Sequence, residues 1–530
     1  MSIPKLVPEV RTMVLCFVNR EAADIATRQL YRILEVADQD GFTWGRGVRF
    51  WRTIVLSTLG VTQFSYFEYL REMSLDSLQS ALNHVQHDTV LRQLFFEEPM
   101  RKFLVLGRHR HTQPAEPLTL QDFNSVLSQP ELDLDTEAII RKCVESISRY
   151  VKQHARIALV RLAAFSILLR GILPTCLSAL GTLESLEVGP GPCLGRQEAL
   201  AIKEHCPKFS RLTCYMCLDN HTNFISELHP NTLQEFKIYM HQDRELSIHT
   251  LAALADHTKL LRHLSLSGLS ESAIKYIHTL GSCPALETIH LSHANTVPVN
   301  RPIMTAEEQY TVGKWLNTCQ GLRQLSFYRI PDAFHILHIV LQSPDIHLEK
   351  LSIVNARLPA GDDEWLLAGI WSALGRQQQL SSLKLECLDS PNKRLIISKH
   401  PKLVDAICGL YHLTCLRIAY ADVSSEDIIR IATALPGLEE LLFGGDTYGP
   451  QILQPLGKLS RLAMLEIRAR TQFTYGNLWE FAQTLYSVGN RGIQLVLLRQ
   501  TPLLTGDEEW ELETFFTDTL EGTLIITYTT

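Results

Sequence analysis

No stretch of this 530-residue chain approaches the roughly 20 consecutive apolar residues that a membrane-crossing helix needs. The apolar run Met13 to Val18 lies between Arg11 and Arg20 and is too short for a signal peptide. The expectation is therefore a soluble, intracellular protein of the cytoplasm or nucleus with no membrane partner. Positive charge is not in excess either: 50 Lys and Arg against 57 Asp and Glu leave a formal net charge of -7. A nucleic-acid surface normally carries a basic stripe that neutralises phosphates, so no nucleic-acid partner is expected. The short basic run Arg108 to His111, after Arg101 and Lys102, reads as a solvated loop. The 12 cysteines are scattered rather than framed, which fits buried thiols in a reducing compartment. The chain contains no G-x-x-x-x-G-K-[ST], no H-E-x-x-H and no G-x-S-x-G. Without a phosphate loop, a zincin helix or a nucleophile elbow, no catalytic residue, cofactor or metal is assigned, and an enzyme is the least favoured class.

What is present is repetition. The apolar pattern L-x-x-L-x-L, with Ile, Phe, Val or Cys as substitutes, starts at Leu183, Phe209, Leu233, Leu261, Leu286, Leu322, Leu348, Leu380, Leu413, Leu438 and Leu462. Successive starts lie between 24 residues apart (Leu438 to Leu462) and 36 apart (Leu286 to Leu322). Side chains two apart on a strand share a face, so Leu264 and Leu266 point inward while His263, Ser265 and Ser267 point outward. One such strand cannot bury its apolar edge alone, whereas stacked neighbours share a continuous core. This is a leucine-rich-repeat array, and its spacing predicts an α/β solenoid of the ribonuclease-inhibitor-like horseshoe type.

Between strands the period lengthens to about 3.6, as at Ile248, Leu251 and Leu254, or at Ile274, Ile277 and Leu280, marking short helices. Thr305 with Glu308, and Ser424 with Asp427, have capping-box spacing. Pro207, Pro284 and Pro436 each stand two residues before the next repeat, where a helix must already have ended. Leu70-x-x-Met73-x-Leu75 has the form of an early repeat strand within a mostly helical region. At the other end, Glu508, Glu509, Glu511 and Glu513 on a helix, followed by a strand over Leu524 to Tyr528, read as the terminal cap.

Three constellations invite chemistry and are better explained by the fold. Cys214-x-x-Cys217 with His205 and His221 nearby has two zinc-like ligands, but no second Cys pair completes a site, and the repeat register makes these cysteines structural. Gly189, Gly191 and Gly195 resemble a dinucleotide fingerprint, yet the spacing is one residue too long and Pro190 and Pro192 remove amide donors. His290 and His293 lack a third ligand at a recognisable spacing.

The outward strand residues form the concave binding face of such an array. They include Lys237 and Tyr239, His263, Ser265 and Ser267, His290 and Ser292, Ser326 and Tyr328, Lys384 and Glu386, Arg417, and Glu466 and Arg468. Tyr and Arg dominate interface hot spots, and charges of both signs suit a protein target better than a polyanion. Tyr239, His263, His290, Tyr328, Arg417 and Arg468 are the residues expected to touch that unknown protein target. The long step after Leu286 holds Val297 to Pro302, a loop expected to project at one edge.

The first sixty residues carry the most specific hint of a role. Leu15-Cys16-Phe17-Val18-Asn19-Arg20-Glu21, then Asp24-Ile25-Ala26-Thr27 and Leu30-Tyr31-Arg32-Ile33, resembles the second half of an F-box of fungal proteins that also carry leucine-rich repeats. Phe50-Trp51-Arg52-Thr53-Ile54-Val55-Leu56 is similar to the tryptophan-containing segment that follows the F-box there. The resemblance implies a substrate receptor of a cullin-type ubiquitin ligase, monomeric apart from that complex. It implies that Leu15, Val18, Ile25, Leu30 and Tyr31 dock on the ligase adaptor subunit. The sequence departs from the pattern at its opening, where Val7-Pro8-Glu9-Val10 reaches Leu15 almost at once and the first helix is short. A leucine-rich-repeat scaffold, its N-terminal helices only capping the array, therefore stays open as the alternative. The expected organisation is an F-box-like helical region at 1–58, a mostly helical linker and cap at 59–177, and repeats with a C-terminal cap at 178–530.

Overall fold

A computed structural model of the chain describes residues 44–528, apart from 63–64, 108–124, 130–131, 155–156, 158, 166–170, 190–193, 216–219, 241–243, 295–300, 360–363, 387–394, 397–399 and 420. The adaptor-docking residues Leu15, Val18, Ile25, Leu30 and Tyr31 lie outside the described residues, as do the basic run at 108–111 and most of the loop from Val297 to Pro302. The chain divides into two compact units, Met1–Glu235 and Phe236–Thr530.

The first unit begins with α1 (Trp44–Thr58), then β1 (Glu72–Ser74), α2 (Leu75–His87), α3 (Thr89–Phe96) and α4 (Thr136–Gln153). It continues with β2 (Arg161–Ala164), α5 (Leu173–Leu177), β3 (Ser185–Val188), α6 (Arg196–His205), β4 (Arg211–Tyr215) and α7 (Asn220–Glu227). Its strands pair in parallel in chain order. Leu70, Met73 and Leu75 are all buried around β1, so the early triplet does form a strand of the sheet. Trp51, in the segment similar to the one after an F-box, is fully buried, and its indole Nε1 donates to Ser77 Oγ on α2 at 3.0 Å. α1 is thereby built into the helical layer of this unit. Arg92 of α3 is buried, and its guanidinium donates to the carbonyls of Val85, Gln86, Leu127 and Gln129. Two of these, Val85 and Gln86, belong to the last turn of α2, where unpaired carbonyls favour a cation.

The second unit runs β5 (Glu235–Tyr239), α8 (Ile248–Leu254), β6 (His263–Leu269), α9 (Glu271–Lys275), β7 (Thr288–His293), α10 (Ala306–Asn317), β8 (Gln324–Tyr328), α11 (Ala333–Leu341), β9 (Lys350–Val354), α12 (Glu364–Leu374) and β10 (Ser382–Glu386). After β11 (Leu395–Ile396) and α13 (Pro401–Cys408) come β12 (Cys415–Ile418), β13 (Ala421–Asp422), α14 (Ser425–Ala434), β14 (Glu440–Tyr448), α15 (Leu453–Gly457), β15 (Met464–Thr471), α16 (Tyr475–Ser487), β16 (Gln494–Gln500), α17 (Gly506–Asp518) and β17 (Thr523–Tyr528). Among the described residues of this unit, every strand but β11 and β13, which pair with each other, joins one parallel sheet in chain order. A parallel neighbour needs a crossover, and the helices between strands supply it.

The eleven residues that open the sequence pattern are all buried, as are the inward positions three and five places on in the clearest repeats, such as Leu264 and Leu266, Ile289 and Leu291, and Leu325 and Phe327. Each is registered against its counterpart in the next strand: Leu264 with Ile289, Ile289 with Leu325, and Leu325 with Leu351. The core is thus a stack of like residues, and the fold is the α/β leucine-rich-repeat solenoid that the spacing predicts. Besides the short β11 and β13, two strands escaped the pattern. β2 carries it as Leu159-x-x-Leu162-x-Ala164, with Ala in the last place. β16 has Gly492 where the first Leu belongs, and buried Asn490 instead donates to the carbonyls of Leu459 and Leu462 in the preceding turn.

Helix starts follow the sequence with one refinement. Thr305 Oγ1 accepts from Glu308 N, and Glu308 Oε2 accepts from Thr305 N, a reciprocal box at the start of α10. At α14 Ser424 Oγ accepts from Asp427 N, but Asp427 Oδ2 accepts from the Ser424 hydroxyl rather than its amide. Aspartate, one methylene shorter than glutamate, closes on the nearer donor. The face Ile274, Ile277 and Leu280 is buried as expected but is divided between α9 and a following 3₁₀ turn.

Candidate functional site

The face of the second unit's sheet away from the helices is built by alternation, and the strand register arranges it in rows. The middle row reads Ser265, His290, Ser326, Ser352, Lys384, Arg417, Leu442, Glu466, Val496 and Ile525. Neighbouring strands lie about 4.8 Å apart, so the row is a continuous floor. A parallel row begins with His263, Thr288 and Gln324, and on the other side Ser292 is registered with Tyr328, and Tyr328 with Val354.

Of the six residues expected to touch a target, Tyr239 ends β5 and is 37 % exposed; the other five are half-buried. His290 Nδ1 lies 2.8 Å from Ser326 Oγ across two strands. Burial holds the His290 imidazole below its ordinary range, because a charged ring loses solvation there. His263 and Tyr328 flank this small, hydroxyl-rich zone on the outer rows.

Farther along, the floor becomes ionic. Lys384 Nζ is 3.4 Å from Glu386 Oε1 on the same strand. Arg417 donates from Nε and Nη2 to Glu440 Oε2 at 3.1 and 3.0 Å, and the Cys415 thiol donates to the same oxygen at 3.1 Å. The Glu440 carboxyl is held below its usual range, first by the Cys415 bond and then by Arg417. Arg468 Nε donates to Glu466 Oε1 at 2.5 Å, and Glu466 is buried although it points to the open side. Arg417 and Arg468 are therefore already engaged with carboxylates of the floor. They offer a ligand their remaining donors and planar faces rather than a free charge.

Sequence reasoning missed the apolar part of this face. Leu442 occupies the middle row between Arg417 and Glu466 and is only 2 % exposed; Val496 and Ile525 continue the row. The pattern from Leu438 turns Leu441 and Phe443 inward and so Leu442 outward, but only the strand register shows that Leu442 stands between Arg417 and Glu466. Consecutive apolar residues inside a repeat strand were the signal that could have revealed it.

The constellations set aside in the sequence have structural explanations where they are described. Cys214 is a buried inward residue of β4, whereas Cys217 and the side chain of His221 lie outside the described residues. A Cβ on Gly189 would come within 2.3 Å of the Phe165 backbone, so this glycine serves the close approach of two adjacent turns. Among the described residues no group of three or more His, Cys, Asp and Glu could hold a metal ion, and no helix is long and apolar enough to cross a membrane.

No protein-family model and no curated protein sequence matches the chain. Similar solved structures include an internalin, InlF, from Listeria monocytogenes, at 15% identity over 72% of this chain and 89% of that one, with a TM-score of 0.36. The yeast Rad7 and Elc1 complex is similar at 14% identity over 63% of this chain and 83% of that one, with a TM-score of 0.40. The plant peptide hormone receptor RGFR1 in complex with RGF2 is similar at 14% identity over 72% and 64%, with a TM-score of 0.35. At that distance these are likenesses only; the repeat fold of this chain rests on its own buried triplets and parallel register.

Proposed function

We propose that this chain is a non-enzymatic protein-interaction protein serving as a substrate receptor of a cullin-type ubiquitin ligase. Its repeats hold a target protein on the open sheet face, and Leu15, Val18, Ile25, Leu30 and Tyr31 engage the ligase adaptor. The observation that carries the target-binding half is the composition of the middle row. Small hydroxyls with His290, then internally paired charges, then Leu442 and Val496 offer directional bonds and apolar area with little net charge. Interfaces between proteins combine these same elements. The adaptor-binding half is supported by the resemblance at Leu15 to Ile33 and by the Trp51 segment downstream of it.

A pull-down of the full chain with the purified ligase adaptor tests the assignment, repeated with Val18→Asp and Leu30→Asp after thermal melting shows that both variants fold. Capture by the unaltered chain and its loss in both variants is the expected result. Absence of capture by the unaltered chain would sink the ligase reading and leave a repeat scaffold.

A further inference from the structure

Among the described residues, the last strand in the sheet order has one neighbour. β17 pairs with β16 from Thr523 to Tyr528 and ends the strand order, and among the described residues nothing pairs with its far edge. Thr523 N donates toward Ile493 O on the β16 side. Backbone groups alternate sides along a strand, so the amides and carbonyls of Leu524, Ile526 and Tyr528 face the free edge. Edge strands are usually blunted by a charge, a proline or a covering element, yet the strand TLIITY has neither charge nor proline. On its open face Ile525 is 45 % exposed.

The helix that packs beside this strand is acidic throughout. α17 carries Asp507, Glu508, Glu509, Glu511, Glu513 and Asp518 with no Lys, Arg or His. Among the described residues none of the six is in an ion pair. Glu509 Oε2 accepts from the Tyr528 hydroxyl at 2.7 Å, which ties this carboxylate to the end of the edge strand. Glu513 lies one turn after Glu509 and shares its face of α17; burial, the Glu509 bond and the charges of both carboxylates push the Tyr528 hydroxyl up to about 12. Trp510 of the same helix is 68 % exposed.

We propose that β17 receives an extended basic segment of a partner protein as an additional strand. Its main chain bonds Leu524, Ile526 and Tyr528, its apolar side chains lie beside Ile525, and its Lys or Arg side chains lie beside Glu509 and Glu513. Strand addition of this kind draws affinity from main-chain bonds and specificity from alternate side chains. Charge decides the occupant. A second copy added across a two-fold axis would bring two α17 helices, each with six unpaired carboxylates, to the same side of one sheet, whereas a basic strand neutralises them. An exposed tryptophan adds a face on which a cation can rest. The surface meets the middle row only at its last residue, Ile525, and does not depend on the ligase reading.

The test is fluorescence-anisotropy titration of the full chain with a labelled peptide of alternating lysine and valine, and with a control of alternating glutamate and valine. Saturable binding of the lysine peptide alone, weakening with added salt, is expected. Ile526→Pro removes an outward amide and is expected to weaken binding at least tenfold. Glu513→Lys, at an exposed position that leaves the backbone intact, is expected to weaken it at least fivefold, and it keeps the test decisive if the proline variant fails to fold. No binding of the lysine peptide, equal binding of both peptides, or unchanged binding by Glu513→Lys would overturn the proposal. So would a dimer in sedimentation that Glu513→Lys strengthens, which would give the edge to a second copy.

Discussion

His290 shows how a repeat strand sets the chemistry of an outward residue. The flanking strands remove its water and give Nδ1 a single partner in Ser326, so the neutral ring is favoured. In the unfolded chain the ring takes a proton near its ordinary value of about 6.5, and in the fold only at lower pH. Between those values the unfolded chain binds more protons, so stability rises with pH and is lost on acidification below about 6.5. His293 and His338 are held low by burial too and add to the same slope. Thermal melts are expected to shift downward between about pH 7.5 and about pH 5.5, less steeply for His290→Gln, which keeps a hydrogen-bonding group without the titration. Equal slopes for the two proteins would contradict this account. Outward residues were legible as positions, but their partners were not. The sequence placed Arg417 and Arg468 on the face and could not tell that Glu440 and Glu466 hold them, because those contacts depend on register and rotamer.

At the scale of the element, each repeat is a strand that buries alternate residues and a helix that returns the chain, and local signals fix where each begins. Thr305→Ala removes the acceptor for Glu308 N and leaves the Thr305 amide as the only half of the box. The expected cost is about 1 kcal/mol, seen as a lower urea midpoint with an unchanged slope. A matching loss in Thr305→Ser, which keeps the hydroxyl, would show that the cap is not the cause. Strands were legible wherever three large apolar residues stood at the required spacing. They were missed where a neighbour relieved that requirement. Ala164 suffices in β2, and in β16 Asn490 bonds the preceding turn, so that Gly492 can stand where Leu is the rule.

For the molecule as a whole, a core made by stacking predicts thiols that react only on unfolding. Cys143, Cys176, Cys206, Cys214, Cys283 and Cys319 are buried thiols, and burial pushes Cys143, Cys176 and Cys206 up to about 12. Alkylation of the native protein followed by peptide mapping is expected to leave these six unmodified, and the same reagent in denaturant to label them all. Native labelling of several of the six would mean that the repeats open readily. The sequence by itself determined the repeat, its strand-and-helix unit and its inward residues, because a spacing of two or of 3.6 is written in the chain and burial rewards it locally. It also supplied the resemblance on which the adaptor assignment rests. Only the tertiary structure decided which outward residues share a row, that Leu442 lies among the charges, that the open face pairs its own ions, and that β17, whose far edge no described residue pairs, lies beside an acidic helix. These depend on which strand lies next to which, in what register and with which rotamers, and cross-strand neighbours such as Arg417 and Glu440, 23 residues apart in the chain, carry no local record of that.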